Sequence, residues 1–314
     1  MKNPKIIETI EKAKHVVVIS HVNPDADSLS SASAVYTYML KLHKKVSFFC
    51  ASKNIDEKLK FLPWVEKLRD VFPADADLAI SLDCGTHTRI GTEIAVDLIN
   101  IDHHQSNDAY ARFNIVDPDA ISTTQVLFDF FKANEISINP KMATALYAGL
   151  LDDSSNFLSK KTDEKVFAMA KELCELGADV KTCSEYISKY MSLAAYRLKG
   201  AMMLSMNLHQ DGEIALLHVD QEMMQKYGAR ASDCEAALEE ALHLPSVRVA
   251  LLLRENKDRT LKGSLRSDGS VNVNNVANIY GGGGHPHSSG FTLKTNDMQD
   301  VIKEIIQLIK EHKK

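Results

Sequence analysis

Short apolar runs alternate with helical apolar stripes through the first half of the chain. His15–Ser20 and Lys45–Cys50 read as buried strands, followed by Asp77–Leu82, the run from Ala95 to Ile101 and the short Phe113–Val116. Between the first two, Leu29, Ala32, Val35, Tyr36, Met39 and Leu40 recur at helical spacing. This alternation predicts an α/β fold whose N-terminal part is a mostly parallel five-stranded sheet with helices on both faces. Beyond residue 120 the pattern turns helical, with stripes over Thr123–Ala133, Pro140–Leu151 and Asp163–Leu176. Thr162 is the expected N-cap of the last of these, and Gly177 ends it. Residues 184–206 carry Tyr186, Ile187, Tyr190, Met191, Ala194, Leu198 and Met202 in one stripe, which predicts a single further helix.

The pattern then restarts. Glu213–Val219, Val247–Arg254, Leu261–Arg266 and Ser289–Leu293 read as strands. Helices are expected over 221–227, 232–242, Val273–Tyr280 and a final amphipathic segment. The whole divides into residues 1–188, a linker helix over 189–204, and a smaller α/β domain over 205–314.

At 314 residues the chain is long enough for two such domains, and 45% hydrophobic with 25% charged residues is a soluble globular balance. No apolar run reaches membrane-spanning length, and no apolar segment follows Met1–Lys5 as a secretion signal would require. The five cysteines are scattered without a Cys-x-x-Cys pair, which fits a reducing cytoplasm better than a disulfide framework. A formal net charge of −5 argues against a protein that coats long DNA or RNA. It leaves room for a short nucleotide substrate, because carboxylates around metal ions make the sum negative while the site itself attracts phosphate.

Four acidic clusters fall just after predicted strands or helices. They are His21-Val22-Asn23-Pro24-Asp25-Ala26-Asp27, Asp83, Asp102-His103-His104, and Asp152-Asp153. One such cluster alone is ordinarily a solvated turn. Four at the carboxyl ends of elements, where open parallel sheets bind ligands, point to a metal centre. Two divalent ions about 3.5–4 Å apart need a bridging carboxylate and several flanking ligands. Asp25 and Asp27 at alternate positions can reach different ions. A mixture of imidazoles and carboxylates suits manganese better than magnesium, which prefers all-oxygen surroundings.

Together these motifs resemble those of the DHH phosphoesterases, a family that includes RecJ exonucleases, family II pyrophosphatases and the nanoRNase/pAp phosphatases of the NrnA type. His21-x-x-x-Asp25-x-Asp27, Asp83, Asp102-His103-His104 and Asp153 are similar to its four N-terminal motifs. Gly281-Gly282-Gly283-Gly284-His285 is similar to the signature of the associated C-terminal domain, and Ser264-Leu265-Arg266-Ser267 to an Arg-Ser strand of the NrnA type. The resemblance implies that His21 and Asp25 bind one Mn2+, that Asp27, His103 and Asp153 bind a second, and that Asp83 bridges them. It places His104 against the substrate as a catalytic group and makes Asp102 the carboxylate that orients an imidazole. By register Asp153 is the ligand, with Asp152 where the family commonly has threonine. Ala26 stands where the family has glycine, which requires a negative φ there.

In the second domain the glycine run lets backbone approach a ligand closely. Arg266, Gly282, Gly283, Gly284 and His285 are the candidate substrate-binding residues; the resemblance assigns Arg266 and His285 to the nucleotide beyond the scissile bond. Cys84 is adjacent to Asp83 but has no readable His partner, so a thiolate nucleophile is not expected. The implied activity is a manganese-dependent phosphohydrolase that degrades short oligoribonucleotides and dephosphorylates 3′-phosphoadenosine 5′-phosphate (pAp) by two-metal in-line attack. The neighbouring alternative is a phosphodiesterase for linear or cyclic dinucleotides, pApA and cyclic di-AMP. RecJ would need extra length, and family II pyrophosphatases carry a Ser-Arg-Lys-Lys run that is absent here. An inactive nucleotide-binding regulator would be expected to have lost metal ligands, and all six are present. Expected partners are short RNA and pAp, with no long DNA and no membrane; a homodimer is left open.

Overall fold

The structure is a computed structural model that describes residues 2–294 and 298–312. Its contacts divide the chain into two units, Met1–Tyr190 and Met191–Lys314, each built on its own sheet.

In the first unit the strands are β1 (His15–Ser20), β2 (Lys45–Phe49), β3 (Leu68–Arg69), β4 (Leu78–Leu82), β5 (Asp97–Asp102) and β6 (Phe113–Val116). The helices are α1 (Pro4–Lys12), α2 (Ala26–Lys41), α3 (Thr123–Ala133), α4 (Pro140–Asp153), α5 (Glu164–Glu175) and α6 (Val180–Cys183). The two-residue β3 adds a sixth, edge strand to the five that periodicity predicts. All neighbouring strands are parallel, in the order β3-β2-β1-β4-β5-β6. The chain therefore winds outward from β1, returns to place β4 beside it, and winds outward again. The direction reverses between β1 and β4, and the crevice at their carboxyl ends is where such a sheet receives ligands.

Val16, Val18, Leu78, Ile80 and Ile99 face a core shared with α1 to α5, while Val17, Ile19, Phe49, Ala79 and Leu98 pack with Cys84 and Ile90 on the other face. A central strand buried on both sides loses its polar alternation, which is why β1 reads Val-Val-Val-Ile. Burying each such side chain contributes about 1.5–3 kcal/mol. Small residues along α2 (Ser30, Ser31, Ala32, Ser33, Ala34) allow it to lie almost wholly buried against β1 and α4. Helix α5 is capped by Asp163, which accepts from the backbone N–H groups of Lys165 and Val166, rather than by Thr162. Asp163 has the extended backbone of an N-cap, and its single Oδ1 accepts both donors.

The second unit holds β7 (Asn207–His209), β8 (Ile214–Val219), β9 (Val249–Glu255), β10 (Leu261–Ser267), β11 (Gly283–His285) and β12 (Ser288–Leu293). Its helices are α7 (Leu193–Leu204), α8 (Gln221–Tyr227), α9 (Glu235–Ala241), α10 (Val273–Ile279) and α11 (Met298–Glu311). The sheet order is β11-β12-β10-β9-β8-β7, parallel only between β8 and β9 among its pairs. The single helix expected over 184–206 is divided. A π-helical turn covers Ser184–Lys189, Tyr190 is extended, and Ser192 begins α7 afresh by accepting from Ala195 N. A serine in extended conformation that caps a new first turn outcompetes continuation of the old helix. Leu198 and Met202 of α7 pack with Ala215, Leu217 and Val219 of β8.

Candidate metal centre

The loop after β1 is built around its own hydrogen bonds. Ser28 Oγ lies 2.7 Å from Ser20 Oγ and accepts from His21 N at 3.1 Å. Asp25 is the N-cap of α2: its Oδ1 accepts from Ser28 N at 3.0 Å. That leaves Oδ2 free to face His21 Nε2, 3.4 Å away. Ala26 is the first residue of α2 and is not among the residues with positive φ, so alanine fits there.

Asp83 follows β4 directly and is buried, with φ of 60°, a left-handed conformation unusual for a residue other than glycine. Its Oδ2 lies 3.4 Å from His21 Nε2, and its Oδ1 lies 3.6 Å from His103 Nε2. Thr123 Oγ1 donates to that same Oδ1 at 2.7 Å. His103 Nε2 in turn is 3.3 Å from Asp153 Oδ2, at the end of α4. Asp27, fully buried, receives the first backbone N–H groups of α3: Thr123 N at 2.7 Å and Thr124 N at 3.1 Å. A helix N-terminus is a natural seat for a carboxylate.

These atoms form overlapping trios. His21, Asp25 and Asp83 offer ligand atoms within 4.8 Å of one another, and so do Asp27, His103 and Asp153, and Asp83, His103 and His104. Thus His21, Asp25, Asp27, Asp83, His103, His104 and Asp153 are brought together. Asp83 belongs to two trios. Asp152, the neighbour of Asp153, is in none of them.

The protonation pattern fits a cation. His21 Nδ1 meets Val22 O at 2.9 Å and His103 Nδ1 meets Ala120 O at 3.4 Å. A carbonyl can only accept, so Nδ1 of His21 carries a hydrogen, and in both rings Nε2 is the nitrogen turned toward the carboxylates. His21 Nε2 is buried without a hydrogen-bond partner among the described residues. Separations of 3.3–3.6 Å between these Nε2 atoms and carboxylate oxygens are long for hydrogen bonds. They are close to the roughly 3 Å expected between ligands set at right angles about 2.1 Å from a shared ion. Burial and the adjacent His104 keep His103 low and neutral, as a ligand must be. Burial, reinforced by neighbouring carboxylates, pushes Asp27 and Asp153 well above the usual carboxylate range. Burial opposes charge on His21, but the carboxylates of Asp25 and Asp83 outweigh it and push the imidazole up to about 9.

His104 differs. Its Nδ1 is 2.7 Å from Asp102 Oδ1, and this bond raises the imidazole above its ordinary value. Asp102 is fully buried at the end of β5 and also accepts from Asn107 Nδ2 at 2.6 Å. Burial drives the Cys84 thiol far up, which leaves no thiolate nucleophile at neutral pH.

In the second unit Arg266 is gripped by glutamates, with Nε on Glu239 and Nη2 on Glu235 at 3.1 Å. The glycine run bends into an edge strand: Gly283, Gly284 and His285 pair with Gly290, Ser289 and Ser288. A side chain at Gly282 would meet Gly290 O at 2.3 Å, and one at Gly284 would meet Ser288 O at 2.5 Å, so both are required for close approach to β12. His285 remains exposed.

Comparison with known proteins agrees with this geometry. Residues 15–150 match the DHH family, N-terminal domain, and residues 214–311 match the DHHA1 domain. The chain belongs to the DHH family. It is 26% identical over 300 residues to the bifunctional oligoribonuclease and PAP phosphatase NrnA of Thermus thermophilus, covering 94% of this chain and 89% of that protein. It is 26% identical over 317 residues to the NrnA of Bacillus subtilis, covering 98% and 99% respectively. Among solved structures, an exopolyphosphatase-related protein from Bacteroides fragilis superposes with a TM-score of 0.90 at 24% identity, over 98% of this chain and 94% of that one. The chain is a hydrolytic phosphoesterase. No helix among the described residues is long and apolar enough to cross a membrane.

The motif reading did not include Thr123, Thr124, Asn107 or Gly149, all of which touch the centre's carboxylates or, for Gly149, would touch one if enlarged. Ser122-Thr123-Thr124 was legible as a helix start, but not as the partner of an aspartate far away in the chain.

Proposed function

We propose that the protein is a manganese-dependent phosphohydrolase that degrades short oligoribonucleotides to mononucleotides and removes the 3′-phosphate of pAp. The observation that carries this reading is Asp83: one buried carboxylate shared between trios, its two oxygens facing different histidines. On this reading His21 and Asp25 hold one Mn2+, Asp27, His103 and Asp153 hold the other, and Asp83 joins them. Bound there, such ions polarise phosphoryl oxygens and lower the pKa of water, so that in-line attack on phosphorus proceeds at neutral pH. The chain's residues supply the rest. His104, kept protonated by Asp102, delivers a proton to the leaving oxygen. Thr123 and the α3 N-terminus hold Asp83 and Asp27 at their positions. Residues 1–188 carry the chemistry, and the domain over 205–314 holds the nucleotide beyond the scissile bond through Arg266, Gly282, Gly283, Gly284 and His285. The five unpaired cysteines support a cytoplasmic location.

The test is turnover by the Mn2+-loaded protein of RNA dimers through ten-mers, pAp, pApA and cyclic di-AMP. Rates that fall steeply with RNA length and measurable release of phosphate from pAp are expected. Preference for cyclic di-AMP would establish the dinucleotide-messenger alternative, and equal or better rates on long RNA would remove the length selection.

A further inference from the structure

Arg89 is a cation beside the metal centre that no described residue neutralises. It lies on a 3-10 turn, His87–Ile90, that follows Asp83 in the loop after β4. The turn is fixed in place. Ile90 is fully buried beneath the sheet, Arg89 O accepts from Val22 N at 2.8 Å, and Gly91 closes the turn with φ of 77°. A β-carbon at Gly91 would come within 2.5 Å of Val22 Cγ1, so the turn sits tightly on the loop that carries His21 and Asp25. The backbone of Arg89 is thereby pinned to the ligand-bearing loop.

Its side chain is half-buried, and its Nε is shielded from solvent with no hydrogen-bond partner among the described residues. Other basic side chains are engaged: Arg112 with Asp97, Arg248 with Asp268, Arg266 with Glu235 and Glu239. Arg89 takes part in none of the ion pairs around the centre. Its backbone contact with Val22, next to His21, sets it beside the same loops that carry the carboxylates. A buried unpaired N–H is costly, more so on a charged group, and such a cost persists where a ligand supplies the partner.

Charge balance identifies that ligand. The carboxylates of Asp25, Asp27, Asp83 and Asp153 carry four negative charges when ionised, which two divalent cations cancel. An anionic phosphate entering a neutral cluster gains little long-range attraction unless further fixed positive charge stands beside it. His104 is already paired with the carboxylate of Asp102, so the guanidinium of Arg89 is the fixed charge left over. Its planar fork of N–H donors matches two oxygens of a phosphate.

We propose that Arg89 receives the non-bridging oxygens of the scissile phosphate, on the side of the crevice formed by the loops after β1 and β4. This rests on the phosphohydrolase reading above for the identity of the substrate, but not for the anion contact itself.

The experiment compares wild type with Arg89→Ala and Arg89→Lys, all loaded with Mn2+. Three quantities are read: affinity for Mn2+ alone, affinity for inorganic phosphate by calorimetry, and kcat and KM on pApA and pAp. In R89A, phosphate affinity is expected to fall at least about 10-fold, and kcat by about 10²–10³-fold, the usual loss for one donor to a developing oxyanion. Mn2+ affinity should stay within about twofold. R89K, which restores charge but not the fork, should recover only part of both losses. Equal phosphate affinity in wild type and R89A, at whatever level, overturns the proposal. So does a parallel loss of Mn2+ binding, which would make Arg89 a prop for the metal loops. If wild type turns over neither pApA nor pAp while R89A still loses phosphate, the functional reading fails and the anion contact stands.

Discussion

The carboxylate of Asp102 holds Nδ1 of His104 at 2.7 Å, and a second donor, Asn107 Nδ2, fixes its other oxygen. One of the three residues of the Asp-His-His motif therefore serves another rather than a metal. Its consequence is a proton: the hydrogen bond from Asp102 raises His104, so the imidazolium persists to higher pH than it would alone. If His104 is the acid for the leaving oxygen, activity is lost on the alkaline side as pH rises through its raised value. Asp102→Asn removes the charge, lowers the His104 value and moves that alkaline limb to lower pH. A drop in kcat of about 10²–10⁴-fold should accompany it, the range for general acid catalysis. pH–rate profiles of the two proteins decide; superimposable alkaline limbs would dismiss this role.

Asp83 is a separate matter because both its charge and its backbone are unusual. At φ of 60° an alanine is strained, whereas asparagine tolerates the left-handed region. Asp83→Asn therefore tests the bridging charge with the fold preserved, and Asp83→Ala adds backbone strain to the same loss. We expect D83N to weaken Mn2+ binding by more than about 100-fold, beyond what loss of a supporting hydrogen bond costs, and to abolish measurable turnover. Titration of Mn2+ with paramagnetic resonance detection gives stoichiometry and affinity directly. Retention of two tight ions in D83N would end the shared-carboxylate interpretation.

Gly149 lies inside α4, where alanine is ordinarily better by about 1 kcal/mol. Here an added β-carbon would lie 2.6 Å from Asp27 Oδ1 and 2.5 Å from Thr124 Cγ2. Both contacts are impossible without moving the carboxylate or the start of α3. Packing should win over propensity: Gly149→Ala is expected to destabilise the protein by about 1–3 kcal/mol, the usual cost of overpacking. Mn2+ affinity should fall with it. Denaturant melts and metal titration measure the two effects; a stabilised variant with unchanged Mn2+ binding would contradict the contact.

Much of the centre was legible because acids and imidazoles cluster at strand ends, and a strand end is readable from a run such as Leu78–Leu82 followed by Asp83. What escaped was contributed by backbone groups, a glycine and two ordinary polar side chains, Asn107 and Thr123, that carry no motif. Asp27 is held by backbone N–H groups of Thr123 and Thr124, 96 and 97 residues away. Gly149 looks like any weak helix residue until the aspartate opposite it is seen. The missed strands have two or three residues (β3, β7, β11), too short to show a period of two. The break at Tyr190–Ser192 falls inside an unbroken apolar stripe, and only the cap formed by Ser192 reveals it. Helix α1 was not among the expected elements either, although Asn3 before Pro4 is a cap-and-proline start.

The metal-free centre stores protons, and that sets the sign of its response to pH. His21 is pushed up to about 9 in the folded protein, against about 6.5 when unfolded. Its stabilising contribution is thus complete below about 6.5 and is lost as pH rises toward 9. Asp27 and Asp153, also raised, act in the same direction from about 4 upward, while His103, lowered, acts oppositely and only near and below about 6.5. The metal-free protein should therefore lose stability between pH 6.5 and 9 as far as this centre governs it. Metal ions replace these protons and compete better as the protons leave. The gain in Tm on adding Mn2+ to chelator-treated protein should consequently be larger at pH 8 than at pH 6. Thermal melts with and without the ion at the two pH values measure it. A gain equal at both, or larger at pH 6, would mean that these histidines and carboxylates are not where the ions bind.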